Sequence, residues 1–352
     1  MSTENFSLSF SEALEKAGAG EKPAVDWLVP LLTCSREDES RLFGAADKVR
    51  EACVGKAVHL RGLIEFSNHC RKNCAYCGLR RDNLEVERYR LEIDALVQTA
   101  LEAKSLGYHS VVLQSGEDPW YTPERLAEAI REIKAKTELA ITLSVGERDE
   151  NTYRLWREAG ADRFLLRIET TDEELFARLH PDDDLSERMD CLRSLKKLDY
   201  QLGSGVMVGL PGQTPEMLAK DIIWLKELGA EMIGVGPFIS HPDTPLSGEK
   251  GGTVEQTLRL VAVLRLVFPY AHLPATTALG SLDDRGREKA LETGANVMMP
   301  NVTPIDNRAK YQIYPGKICL ADDARHCRGC IEGRIKSIGR TMGTDRGDVH
   351  RK

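Results

Sequence analysis

Three cysteines stand at CxxxCxxC spacing, Cys70, Cys74 and Cys77, with His69 before the first and Tyr76 before the last. So tight a spacing lets one loop wrap three irons of a cubane iron-sulfur cluster and leave the fourth iron open to an outside ligand. The same residues also suit a zinc ion held by three cysteines and His69. A second group, Cys319 with Cys327 and Cys330, reads as metal-binding too, as an iron-sulfur site or as zinc, with His326 as an alternative fourth ligand. Cys34, Cys53 and Cys191 lack any partner spacing and read as small buried apolar residues.

Other positions carry charge where a strand would end. Arg61 and Glu65 are four residues apart, on one side of a strand, and Arg61 suits a substrate anion. Arg167 and Glu169 share a face in the same way, and Arg188 opens the helix that follows. The alternative for them is a buried ion pair, because an unpaired charge inside a protein is costly. Ser115 to Pro119 can form a turn whose N–H groups and Glu117 carboxylate grip an amine, or simply a Gly-Pro turn. Gly209-Leu210-Pro211-Gly212 lacks the lysine of a phosphate loop and reads as a turn.

Eight β-rich runs must position these residues: 59–66, 110–114, 140–143, 164–168, 206–208, 232–235, 273–276 and 296–299. Amphipathic helical patterns lie between them, as at Leu126, Ala129, Ile130 and Ile133 or at Leu218, Ile222 and Leu225. Thr122 and Thr214 each precede Pro-Glu and suit helix N-caps, while Gly107, Gly160, Gly229 and Gly294 suit left-handed helix ends that lead into strands. Repeated βα units of this kind predict an α/β chain, a (β/α)8 TIM-type barrel over 58–301 with an N-terminal helical cap over 1–57 and a C-terminal extension over 302–352. A doubly wound sheet is the fallback, and active residues belong at the C-terminal strand ends in either case.

CxxxCxxC with an aromatic before the last cysteine, placed after the first strand of a barrel, resembles the signature of the radical S-adenosylmethionine family. Within that family, Arg71 to Asn73, Gly78 to Asn83, Gln114 to Pro119, Val208 to Thr214, Gly236 to Phe238 with His241 to Pro245, and Pro274 to Thr277 resemble the HydE-type maturases of FeFe-hydrogenase over nearly the whole chain. The resemblance implies a 4Fe-4S cluster on Cys70, Cys74 and Cys77, with S-adenosyl-L-methionine on its open iron and a 5′-deoxyadenosyl radical formed by one-electron cleavage. It implies that Tyr76, Gln114, Ser115, Glu117, Thr142, Ser144, Arg167, Glu169, Arg188 and Met232 bind the cofactor, with Glu169 on the ribose or amine and Arg188 on the carboxylate. It implies that Arg61, Thr276, Thr277, Met299, Tyr311 and Tyr314 bind substrate, and that Cys319, Cys327 and Cys330 carry an auxiliary 2Fe-2S or 4Fe-4S cluster. The implied substrate is a cysteine-bound iron carbonyl cyanide precursor, delivered by a sister maturase during assembly of the diiron subcluster, with a separate electron donor. One departure stands out: Ile168 occupies the place of a histidine between Arg and Glu in the resembled pattern.

Composition excludes several other classes. The 352 residues are 41% hydrophobic and 29% charged, as in globular proteins, and the net charge of −7 comes from interspersed residues, which disfavours a nucleic-acid partner. The start has neither a basic nor an apolar leader pattern, and the most apolar helical stretch is broken by Arg259 and Arg265, so a cytoplasmic protein without a membrane span is expected. The competing functions are a radical enzyme of the methylornithine synthase or biotin synthase kind acting on an organic molecule, a zinc-dependent barrel hydrolase, and an iron-sulfur carrier. Biotin synthase fits poorly because no predicted strand contains a cysteine, and the hydrolase because histidines at strand ends are few.

Overall fold

The structure, a computed structural model, describes residues 8–350. Its strands are β1 Ala57–Leu60, β2 Gly62–Ser67, β3 Ser110–Ser115, β4 Ala140–Ser144, β5 Arg163–Leu165, β6 Gln201–Val208, β7 Met232–Pro237, β8 Val297–Met298 and β9 Thr341–Met342. Strands β2 to β7 form one parallel sheet in chain order, and β8, β1 and β9 form a second. Only Arg61 separates β1 from β2. Single bridges continue the pattern from Met232 to His272, from Pro274 to Val297 and from Asn301 to Leu63, so two extended segments run from the β7 edge back to β2. The eight strand positions match the TIM-like expectation, the seventh as isolated bridges rather than a strand.

Strands β2 and β6 are buried almost end to end, which is why they read as apolar runs: parallel strands are covered on both faces. The fifth run begins at Gln201, five residues before its predicted start, because Gly203, Ser204 and Gly205 hide its β character. Gly205 is required there, since a Cβ would lie 1.8 Å from the Gly234 carbonyl oxygen on β7. The fourth run is a strand only over 163–165. Beyond it the chain reaches Glu169, which bridges to Val206 with φ of +63°.

Outer helices bury the predicted stripes, including Leu96, Val97 and Ala100 on Ile93–Ser105 and Leu126, Ala129, Ile130 and Ile133 on Pro123–Lys136. Thr122 and Thr214 accept N–H bonds from Arg125 and Met217, as helix caps do. Gly160 and Gly229 end their helices in the left-handed region, Gly107 follows a helix end at φ of +83°, and Gly294 departs from the expected conformation at φ of +148°. The N-terminal helices Phe10–Gly18, Val25–Leu32 and Arg36–Val54 pack on Val254–Val267. No helix of the described residues is long and apolar enough to cross a membrane.

The extension does more than carry cysteines. After the helix Ala324–Ser337 it returns to the N-terminal ends of the strands, where β9 pairs with β1. The fully buried Arg163 guanidinium there donates to the Arg346 and Gly347 carbonyls and to Asp348, while Gln201 also binds Asp348 and His59 meets Asp345 at 3.2 Å. These residues close the floor of the barrel.

Candidate functional site

At the opposite, C-terminal strand ends, the cysteine loop follows β2 directly. It seats against the end of β3 because Gly116 has no side chain: a Cβ there would lie 2.3 Å from the His69 carbonyl oxygen and 2.8 Å from Cys70 Cβ. Arg88 fastens the far side of the loop by donating to the carbonyls of Asn68, Leu79, Arg80 and Asn83. Buried Asn68 binds the Glu87 and Lys310 carbonyls and accepts the Tyr89 N–H. Neither Arg88 nor Asn68 carries a spacing signal, and sequence reasoning missed both.

The three thiols are partly buried, and burial raises the pKa of each, with repulsion from the neighbouring thiols adding to it at Cys74 and Cys77; Cys77 is pushed up to about 12. A set of this kind binds strongly only when positive metal replaces the protons. The three sulfurs do not all lie within 4.8 Å of one another. A single zinc with Zn–S bonds of about 2.3 Å would need its sulfurs roughly 4 Å apart. The set of three sulfurs is thus wider than one zinc would hold, in keeping with a multi-iron cluster, although Cys74 also lies within 4.8 Å of the His180 and Asp183 ligand atoms. His69 is absent from any such group.

Inside the loop lies a cavity of about 380 Å³. Its wall includes Cys70, Cys74, Tyr76, Cys77, Gln114, Ser115, Glu117, Thr142, Ser144, Arg167, Glu169, Arg188 and Met232, and deeper in, Arg61, Thr276, Thr277, Met299, Tyr311 and Tyr314. Every residue predicted for cofactor or substrate thus borders one space. Several polar atoms along it are buried without a protein partner, namely Arg61 Nε, Thr142 Oγ1, Arg167 Nε and Thr276 Oγ1. Orphaned donors and acceptors aligned on one cavity fit a polar occupant such as S-adenosylmethionine, because unmet buried polar groups are costly.

Glu169 holds a left-handed backbone that non-glycine residues rarely adopt, a strain typical of binding sites. Its carboxylate is 3.0 Å from Arg167, and burial pushes its pKa up against the pull of the arginines. Asp221, buried behind this turn, accepts the Thr171 N–H and hydroxyl at 2.6 and 2.7 Å and is itself raised by burial to about 6. Arg188 is already held at all three nitrogens, by Glu147, by the Arg167 carbonyl and by Asp183, leaving one N–H free on each terminal nitrogen. The Glu117 carboxylate accepts from Arg71 Nε and the Glu147 N–H, so it anchors neighbouring loops. Ile168 is fully buried in the core and does not border the cavity.

Toward the floor, Arg61 donates to Met232 Sδ at 2.8 Å and Gln114 donates to the Tyr311 hydroxyl at 3.3 Å. Glu65 is paired with Lys317 and receives Asn301 Nδ2 at 2.8 Å. Lys317, His272, Lys72 and His180 also border the cavity and were missed, since none belongs to a periodic pattern or a recognisable spacing.

The second cysteine group is built differently. Cys319, with φ of +63°, and Cys327 come together with the Asp322 carboxylate within 4.8 Å. Cys330, predicted with them, is exposed and lies beside Arg334; it stands three residues beyond Cys327 on the same helix, hence on an adjoining part of its face. Arg308 reaches Cys327 Sγ at 3.9 Å, and His326 lies 3.9 Å from Asp322.

The family model of the radical SAM superfamily matches residues 64–225. The chain is 49% identical to the [FeFe] hydrogenase maturase subunit HydE of Thermotoga maritima over 87% of this chain and 88% of that one. It is 32% identical to 3-methylornithine synthase of Methanosarcina acetivorans over 84% of this chain and 85% of that one. Among solved structures it is similar to methylornithine synthase, with a TM-score of 0.83 at 29% identity, covering 94% of this chain and 97% of that one.

Proposed function

From the premise that this chain belongs to the HydE family of radical S-adenosylmethionine maturases of FeFe-hydrogenase, we propose that it acts on a cysteine-bound iron carbonyl cyanide precursor of the diiron subcluster. The carrying observation is the single cavity that joins the three loop cysteines to a polar, cation-lined far end. When bound, the 4Fe-4S cluster and S-adenosylmethionine supply one-electron cleavage of a sulfonium carbon-sulfur bond. Cys70, Cys74 and Cys77 hold the cluster; the unpartnered Thr142 and Arg167 atoms, with strained Glu169, bind and orient the polar cofactor. Arg188 turns its remaining N–H groups to a carboxylate. Arg61 holds the anionic precursor, with Thr276, Thr277, Met299, Tyr311 and Tyr314 shaping its seat, and the buried walls exclude water from reactive species. The precursor comes from a sister maturase and the electron from a separate donor. Cys319, Cys327 and Cys330 carry an auxiliary 2Fe-2S or 4Fe-4S cluster, with Asp322 beside them.

The test is anaerobic reconstitution with iron and sulfide, reduction with dithionite, and assay of 5′-deoxyadenosine from S-adenosylmethionine with and without the iron precursor. Precursor-dependent product is expected from the wild type and none from Cys74→Ala. Cleavage retained in that variant would remove the cluster assignment. The likeness to methylornithine synthase supports a second reading, an organic substrate in the same cavity. Formation of methylornithine, with indifference to the iron precursor, would favour it.

A further inference from the structure

Among the three loop cysteines, Cys74 has a side-chain nitrogen within hydrogen-bond range of its sulfur, that of the His180 ring. His180 follows the helix Glu173–Leu179, is 2% exposed, and sets Nδ1 at 3.4 Å from Cys74 Sγ and 3.5 Å from Asp183 Oδ2. Its ring cannot turn freely, since it stacks on Phe176 at 4.5 Å between centroids and meets Tyr76 edge-on at 5.5 Å. Two acceptors share that one nitrogen, and Nε2 is buried without any partner. This pattern selects the tautomer with the proton on Nδ1, where it has two acceptors, and leaves the bare nitrogen at Nε2.

Asp183 fixes the arrangement. Its side chain is 1% exposed and also receives Lys72 Nζ and, at 2.9 Å, Arg188 Nη2. One carboxylate therefore ties the imidazole to a lysine inside the cysteine loop and to an arginine on the cavity wall. The other two sulfurs have only main-chain neighbours of this kind: the Glu117 N–H at 3.4 Å from Cys70, and the Lys72 and Leu79 N–H groups at Cys70 and Cys77.

We propose that His180 is a positioning residue that donates its Nδ1 hydrogen to the Cys74 thiolate and thereby raises the reduction potential of the cluster held by this loop. The inference rests on the reading of Cys74 as a cluster ligand. A hydrogen bond to a ligating sulfur withdraws charge from it and favours the reduced cluster, and such bonds are among the determinants of iron-sulfur potentials. The loop's three sulfurs then differ in kind, Cys74 with a side-chain donor and Cys70 and Cys77 with main-chain donors.

The experiment compares His180→Phe, which keeps a ring for the Phe176 stack, and His180→Asn, whose amide N–H can occupy the place of Nδ1, with the parent protein. All are made in a Cys327→Ala background to silence the second cysteine group. Each is reconstituted anaerobically and titrated potentiometrically by electron paramagnetic resonance, with no S-adenosylmethionine added. Iron and sulfide content should be alike. At the parent midpoint, His180→Phe should show a reduced-to-oxidised ratio about tenfold lower, equivalent to about 59 mV for a one-electron couple, and His180→Asn should recover most of that loss.

Equal midpoints in the parent and the Phe variant, with clusters intact, overturn the inference and leave the cluster assignment standing. Equal shifts in both variants assign the effect to packing and overturn it too. A parent that binds no iron at this loop overturns the underlying reading and the inference with it. Pulsed resonance on parent protein labelled with ¹⁵N-histidine probes the contact without touching residue 180: a histidine nitrogen coupling to the cluster supports the proposal, and its absence overturns it.

Discussion

Cys70, Cys74 and Cys77 are gripped by the barrel, whereas Cys319, Cys327 and Cys330 ride on an extension beside it. The first group has Gly116 as its seat, Arg88 as its tether and the cavity at its back. In the second, two sulfurs and a carboxylate crowd within 4.8 Å, the third sulfur is exposed, and none of the three cysteines borders the cavity. Sulfur chemistry is common to both. What separates them is access: an open coordination position matters only where a shielded, polar space adjoins it, so the function proposed above assigns radical chemistry to the first site and expects the second to be dispensable for it.

The largest effect that can break this contrast is on cofactor cleavage. Cys74→Ala should abolish 5′-deoxyadenosine formation, and Cys327→Ala should leave it largely intact; equal losses would show that the two sites act together. Glycine substitutions sharpen the contrast next. Gly116→Ala forces a Cβ against His69 and Cys70, costs about 1–3 kcal/mol as an overpacked contact, and should strip iron from the first site. Gly329→Ala, between Cys327 and Cys330 on an open helix face with nothing within 4 Å, should raise stability by up to about 1 kcal/mol. Thermal denaturation together with iron analysis separates the two.

A graded chelator challenge under nitrogen should remove iron several times faster from the second site, whose Cys330 is exposed, so cleavage activity should outlast the first fraction of iron released. Activity that falls in step with that first fraction would contradict the order. The smallest effect is on acid stability. His272 and His59, at the barrel floor, are held below the usual histidine pKa, chiefly by burial. Below about pH 6.5 the unfolded chain takes up protons that these folded imidazoles refuse, so stability is full above that pH and falls as pH drops. Urea midpoints of the metal-free protein at pH 7.5 and 5.5 should show the loss, and His272→Asn should reduce it.

The barrel and its cavity were legible because chemistry-bearing side chains sit where parallel strands end. Thr142, Arg167 and Thr276 could be placed on the site from strand alternation and family resemblance together. His180, Asp183, Glu147 and Lys317 could not, because they come from loops and helix ends whose positions depend on tertiary packing rather than on a local period. The late start assigned to β6 has a similar cause: Gly203 and Gly205 are poor strand formers locally, yet close approach to β7 demands glycine at 205.

The closed floor has a kinetic side. Arg340 binds the Lys56 carbonyl across 284 residues of chain, and Arg163 reaches Asp348 across 185. Contacts of such separation bear the greatest loop-closure entropy and form once the intervening elements are ordered. The base can therefore form only once nearly the whole chain is in place, and the same holds for the Asn68 bond to the Lys310 carbonyl, which ties down the cysteine loop across 242 residues. Arg61, which leans on Gly347 from inside, owes its final position in the cavity to that late step as much as to the strand residues on either side of it.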